Sequence, residues 1–227
     1  MDNHHFYIQS EDREDYNNTS PANFRVALSR ELNPHCIEVS FCQLPNTFYN
    51  ITASNNNFLF NNVPQTITPG CYTLSEALTE FASVTGLTVG YNDITNLITI
   101  SAGANFSLNF NVQNSIGKLL GFKTILYSAQ NSYTGTFGPK IYHSAVYISL
   151  NIGNGVLTSS GLKNVSFVIP NNVNKSELIQ FYARTQFSLA PNVKKNGIQH
   201  FEVRVFDEKG NELQGLSDWS LLIKLFY

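Results

Sequence analysis

Apolar and polar residues alternate in short runs along much of this chain, and each run predicts a strand with one buried face. Phe24-Arg25-Val26-Ala27-Leu28 is the first, and Ile37-Glu38-Val39-Ser40-Phe41 repeats the pattern after a turn at Asn33-Pro34. Phe58-Leu59-Phe60 and the run from Val63 to Thr68 predict two short strands about an Asn61-Asn62 turn. Thr88 to Tyr91 and Leu97 to Ser101 flank Asn92-Asp93-Ile94-Thr95-Asn96, a hairpin with a five-residue loop. Phe106 to Phe110 alternates again. In the second half, Val146 to Leu150 and Val165 to Ile169 read as strands, the latter ended by Pro170-Asn171-Asn172. Another strand falls within Leu178 to Leu189, and Phe201 to Phe206 alternates apolar with charged residues up to a tight turn at Asp207-Glu208-Lys209-Gly210. Trp219 to Phe226 is the last.

Helical spacing occurs twice. After Pro69-Gly70 the residues Leu74, Ala77, Leu78, Phe81 and Ala82 share one helix face, Thr73 and Glu76 form a capping box, and Gly86 ends the segment. Ser115 to Leu120 reads as a shorter helix closed by Gly121. Eight to ten strands with frequent turns and only two small helices are the signature of an all-β fold, a sandwich or jelly roll, with one or two short helices in an inserted region. Helices that do not alternate with strands argue against a parallel α/β sheet. Neither repeats nor a linker divide the 227 residues. The expected organisation is a polar N-terminal arm over 1–19 and one jelly-roll domain over 20–227, with 58–122 as its helix-containing elaboration.

Hydrophobic residues make up 42% of the chain and aromatics 13%, enough to build a core and exclude wholesale disorder. Charged residues are only 13%, about half the usual share. The formal charge of −2 draws the chain to neither nucleic acid nor anionic lipid. From Val39 to Asn174 the charges are Glu76, Glu80, Asp93, Lys118, Lys123, Lys140 and Lys163 alone. Neutral amides and hydroxyls can be covered by a partner without the desolvation cost of burying ions, so this stretch suits extensive subunit contact. An AT-rich coding sequence, which also favours Asn at about one position in eight, would leave the same neutral surface.

Candidate chemistry is sparse. His4, His5, His35, His143 and His200 fall in no HExxH or Cys/His cluster, and no GxSxG, P-loop or GxGxxG is present. The acidic cluster Glu11-Asp12-Arg13-Glu14-Asp15 lacks the ligand spacing of a calcium loop and reads as a solvated charge run. Cys36, Cys42 and Cys71 have no zinc spacing and are too few for a disulfide framework. Lys194-Lys195 has no aromatic interleaving, which disfavours nucleic acid. The expectation is therefore no enzyme, no cofactor and no metal. The polar start predicts no signal peptide, and no apolar run is long enough for a spanning helix. The Asn-x-Ser/Thr sites at Asn17, Asn18, Asn50, Asn105, Asn164 and Asn174 then read as products of composition.

Five segments, in this order, carry a family resemblance: Ser20-Pro21-Ala22-Asn23-Phe24; Leu44-Pro45-Asn46-Thr47-Phe48-Tyr49-Asn50-Ile51; Pro69-Gly70-Cys71-Tyr72-Thr73-Leu74-Ser75-Glu76-Ala77-Leu78; Ser115-Ile116-Gly117-Lys118-Leu119-Leu120-Gly121-Phe122; and Asp218-Trp219-Ser220-Leu221-Leu222. Together they resemble the penton or minor capsid proteins of virophages, Polinton-like viruses and related large DNA viruses. The resemblance implies a single jelly-roll β-sandwich assembling as a homopentamer at icosahedral five-fold vertices, beside capsomers of double jelly-roll major capsid protein and other minor capsid proteins. It also implies a virion location after synthesis in host cytoplasm. Many such proteins carry an extra outward domain or a long insertion, for which this chain shows no obvious room. Expected subunit contacts are the loop Asn46 to Asn50, with Asn46, Phe48, Tyr49 and Asn50, and the 131–143 loop, with Tyr133, Phe137 and Tyr142. The rivals are a cement protein between capsomers, a carbohydrate-binding jelly-roll module stacking Tyr and Trp219 on sugars, and a β-sandwich hydrolase.

Overall fold

A computed structural model describes residues 3–34, 36–151, 165–182, 187–189 and 197–227. His35, Asn164 and Lys194-Lys195 lie outside the described residues. The chain forms two compact units: Met1–Phe48 with His143–Tyr227, and Tyr49–Tyr142 between them.

The first unit holds two antiparallel sheets. One runs β1 (Asn3–Gln9), β14 (Ser220–Phe226), β3 (Cys36–Pro45) and β11 (Leu178–Tyr182), with β12 (Phe187–Leu189) also paired to β3. The other runs β10 (Phe167–Pro170), β9 (Ala145–Leu150), β13 (Ile198–Phe206) and β2 (Asn23–Leu32). Counting β11 with β12 as one, these eight strands in chain order pair first with eighth, second with seventh, third with sixth and fourth with fifth. A β ribbon rolled up in this way is a jelly roll.

Strict alternation aims Ile37, Val39, Ile223 and Leu225 from one sheet, and Val146, Ile148, Phe201, Val203 and Val205 from the other, into a shared core. Trp219 is 5% exposed there, and its ring Nε1 donates to Pro21 O at 2.8 Å. The core gains about 25 cal/mol for each Å² of apolar surface it removes from water.

The second unit is a mixed β and helical body inserted between the third and fourth strands of the roll. Its sheet is ordered β5 (Val63–Thr66), β4 (Asn57–Phe60), β7 (Leu97–Asn109), β6 (Thr88–Asn92), with β8 (Leu126–Thr134) also paired to β7. Asn61 and Asn62 both take positive φ, which makes the β4–β5 connection a two-residue hairpin turn whose twist matches the strands. The helix α1 (Leu74–Thr85) starts at Thr73 with both capping-box bonds formed, and Gly86 ends it at φ 70°. Its inner face buries Ala77, Leu78 and Phe81, with Phe81 stacked on Phe58 at 4.7 Å between ring centres.

Four expectations change. Residues 3–9, read as part of a polar arm, form the first strand of the roll, paired with β14 from Asn3↔Phe226 to Gln9↔Ser220. The chain divides differently from a single 20–227 domain elaborated at 58–122. The inserted unit spans Tyr49–Tyr142. In place of a second helix, Ser115 makes an isolated β-bridge to Asn57 and residues 117–121 make consecutive turns. Gly117 weakens helix propagation there, and Gly121 turns the chain at φ 80°. Finally, 131–134 belong to β8 and are not loop.

Candidate functional site

The seven residues expected at subunit contacts separate into two groups. Asn46 stands just past β3, where its side-chain Nδ2 donates to Val173 O at 3.1 Å and Asn174 O at 3.0 Å. It thereby fastens the 171–177 loop to the end of the strand. Phe48 is 2% exposed, packed in the jelly-roll core with its ring 5.6 Å from His143. His143 Nδ1 in turn lies 3.1 Å from Glu208 Oε2. Asn50 works similarly inside the second unit. Its Nδ2 donates to Tyr72 O at 2.7 Å and Ile141 O at 3.1 Å, while Tyr72 N donates to its Oδ1 at 3.0 Å. One amide therefore ties together the first and last segments of that unit and its middle. Tyr133 is buried on β8, its hydroxyl donating to Phe106 O at 2.9 Å and its ring edge-on to Phe106.

These four side chains are spent on the chain's own units. The exposed members are Phe137 and Tyr142, each 59% accessible, with Tyr49 half-buried. Phe137 is held out by a narrow turn. Thr136 N and Phe137 N both donate to Gly121 O, and a Cβ on Gly121 would sit 2.0 Å from Phe137 O.

A polar network in the first unit escaped sequence reasoning. Arg13, in the middle of the acidic cluster, has a side chain only 5% exposed. Its Nη1 pairs with Asp218 Oδ1 at 2.6 Å, its Nε donates to Thr19 O at 3.2 Å, and its guanidinium lies 3.9 Å from the Tyr16 ring centre. Ser10 Oγ donates to Asp218 Oδ1 at 2.9 Å and accepts from Trp219 N at 2.9 Å, and Tyr16 OH donates to Asp218 Oδ2 at 3.0 Å. Partial burial by itself would push the Asp218 carboxyl up. Hydrogen bonds from Ser10, Arg13 and Tyr16, with the Arg13 charge, outweigh it and hold the group below its usual range. A clue in sequence was the lone cation among four carboxylates, which a purely solvated run has no need to bury.

This network is a structural clasp. Ser10 Oγ, Arg13 Nη1 and Tyr16 OH all donate to the Asp218 carboxylate. A groove of about 380 Å³ opens at it, lined by Tyr7, Gln43, Leu178 and Trp219 and by the carboxylates of Glu11 and Asp218 among others. Among the described residues no three His, Cys, Asp or Glu side chains gather as metal ligands, and no helix is long and apolar enough to cross a membrane.

The fold therefore defines an all-β jelly-roll protein with a folded insertion. Among solved structures it is similar to the mavirus penton protein, with a TM-score of 0.52 and 9% identity over 99% of this chain and 98% of that one. It is likewise similar to a chain from the cryo-EM structure of the Sputnik virophage, with a TM-score of 0.50 and 14% identity over 100% and 98%. At such identities the likeness is one of fold. No protein-family model and no curated protein matches the sequence.

Proposed function

We propose that this chain is a structural protein of a viral capsid, assembling as a homopentamer at the five-fold vertices of an icosahedral virion. The observation that carries the reading is the end-to-end correspondence with the mavirus penton protein, which leaves almost nothing of either chain unmatched. Low charge between Val39 and Asn174 supports it, since neutral surface is inexpensive to cover with copies of the same chain. Phe137, Tyr142 and Tyr49 serve as contacts between subunits. Double jelly-roll major capsid protein and other minor capsid proteins are the neighbours around the ring. Binding of sugars through Trp219 is disfavoured because its ring is inside the core.

Light scattering on the full chain tests this. A mass of five chains is expected. A trimer would favour a cement protein between capsomers, and a monomer at high concentration would overturn both.

A further inference from the structure

The sandwich carries an aromatic strip on the outside of each sheet, where an antiparallel sheet that faces water is ordinarily polar. On the first sheet, Tyr7, Leu222, Phe41 and Tyr182 occupy one register row across β1, β14, β3 and β11. Their strand neighbours Ile8, Leu221, Ile223, Cys42 and Ile179 point into the core, so the row faces outward. Tyr7 is 54% and Tyr182 65% exposed, and Phe41 lies 5.1 Å from the Tyr182 ring centre. On the opposite sheet, Val168, Tyr147 and Phe206 form a second outward row across β10, β9 and β13. The Tyr147 and Phe206 rings stack within 10° of parallel, which makes a flat plate.

We infer that these rows are the two halves of one contact: the strip on the first sheet of one copy receives the plate on the second sheet of the next copy. The inference rests on the ring proposed above. A cyclic assembly needs two different patches on one chain that fit each other, because the contact is head to tail. The two rows stand on opposite faces of one sandwich, as a chain with a neighbour on either side requires. The plate is also short enough to lie within the strip. Adjacent strands are about 4.8 Å apart, so the strip spans about 14 Å and the plate about 10 Å.

Each row has a mostly neutral row on one side, while the other side of the strip carries His5, Lys224 and Glu38, the last two a cation and an anion paired across β14 and β3. Gln9, Ser220, Gln43 and Gln180 lie beside the strip, and Ser149, Arg204 and Asn23 beside the plate. A net charge of −2 sets up little repulsion between copies. Five rings of 150–250 Å² each, with Phe41, Tyr147 and Phe206 already mostly covered, would contribute on the order of 400 Å² of the roughly 1,600 Å² in a standard interface. That is the size of a central hot spot, with loop contacts supplying the remainder.

The test uses the full chain in three forms: unchanged, with the strip broken (Tyr7→Lys and Tyr182→Lys), and with the plate broken (Tyr147→Lys). Val168→Lys is a second plate variant that removes no ring. Trp219 fluorescence and the unfolding midpoint verify that each variant is folded. The unchanged chain is expected as a pentamer. Each folded variant alone is expected as a monomer, with self-association weakened at least 100-fold. Mixed, a strip variant and a plate variant still hold one intact patch each, so they should join into a complex of two chains that grows no further. A strip variant that remains pentameric overturns this contact but leaves the pentamer standing. So do a plate variant that still self-associates and a mixture that does not pair. An unchanged chain that is monomeric overturns the pentamer itself.

Discussion

Changing Asp218 to Asn preserves the shape of the clasp and removes its charge. Arg13 would then be a nearly buried guanidinium with no counter-ion, still facing Ser10 O and Thr19 O. Removing one partner of a buried pair costs about 3–5 kcal/mol. A quarter of the Asp218 side chain remains in water, so the loss should fall at the low end, about 3 kcal/mol. For a body of this size that lowers the unfolding midpoint by roughly 10 °C. The assay is built into the molecule, because Trp219 is the sole tryptophan and its backbone N–H bonds Ser10 of the clasp. Its fluorescence during thermal or urea unfolding follows the jelly roll alone.

The pH dependence has a definite sign. A carboxylate whose folded pKa is depressed contributes its full stability above the unfolded value, about 3.9, and loses it as pH falls through the lower folded value. The D218N deficit should therefore be full at pH 7 and shrink below about pH 4. Asp12→Asn, an exposed change in the same acidic run, should shift stability by less than about 0.5 kcal/mol. A D218N loss below about 1 kcal/mol, or one that is the same at pH 7 and pH 3, would refute the clasp.

Three further outcomes follow from local geometry. Gly121→Ala puts a methyl 2.0 Å from Phe137 O at a positive φ, so the second unit should lose at least about 3 kcal/mol; near-UV circular dichroism of its tyrosines reads this, and a midpoint within 2 °C of the unchanged chain contradicts it. Thr73→Ala removes the acceptor of the Glu76 N–H and should cost about 1 kcal/mol, seen as faster amide exchange in the first turn of α1. Burial pushes the Cys42 thiol up, so a thiol reagent at pH 8 should modify it only as fast as the protein unfolds; peptide mapping that finds it labelled in the native state at the rate of Cys36 or Cys71 would show the burial to be wrong.

The presence of β2, β3, β9, β13 and β14 could be read from alternation because each has one face in the core and one outside, although β2 and β3 are each about twice as long as the alternating runs that marked them. The helix α1 was legible for a similar reason, its cap, stripe and terminal glycine being local signals. β1 and β8 were not. In β1 only Phe6 and Ile8 turn inward among His4, His5, Tyr7 and Gln9, and its place as first strand comes from hydrogen bonds to β14, more than 200 residues away. β8 exposes most of its length, so pairing with β7 makes it a strand where its residues alone would not.

The same distinction governs the site. Aromatic residues in a Tyr- and Gly-rich segment are visible in sequence, but burial decides which of them can meet a partner. Tyr133 and Phe137 are four positions apart, one buried and one 59% exposed. The sequence by itself determined an all-β sandwich or jelly roll and a chain poor in charge, because these depend on composition and short-range periodicity. Only the tertiary structure decided that residues 3–9 close the roll, that Asn50 and Phe48 hold the chain's own segments, that Arg13 is buried against Asp218, and that aromatic rows stand on both outer faces. Each of those depends on which distant strands lie side by side, and strand register is a property of the folded sheet that no local pattern records.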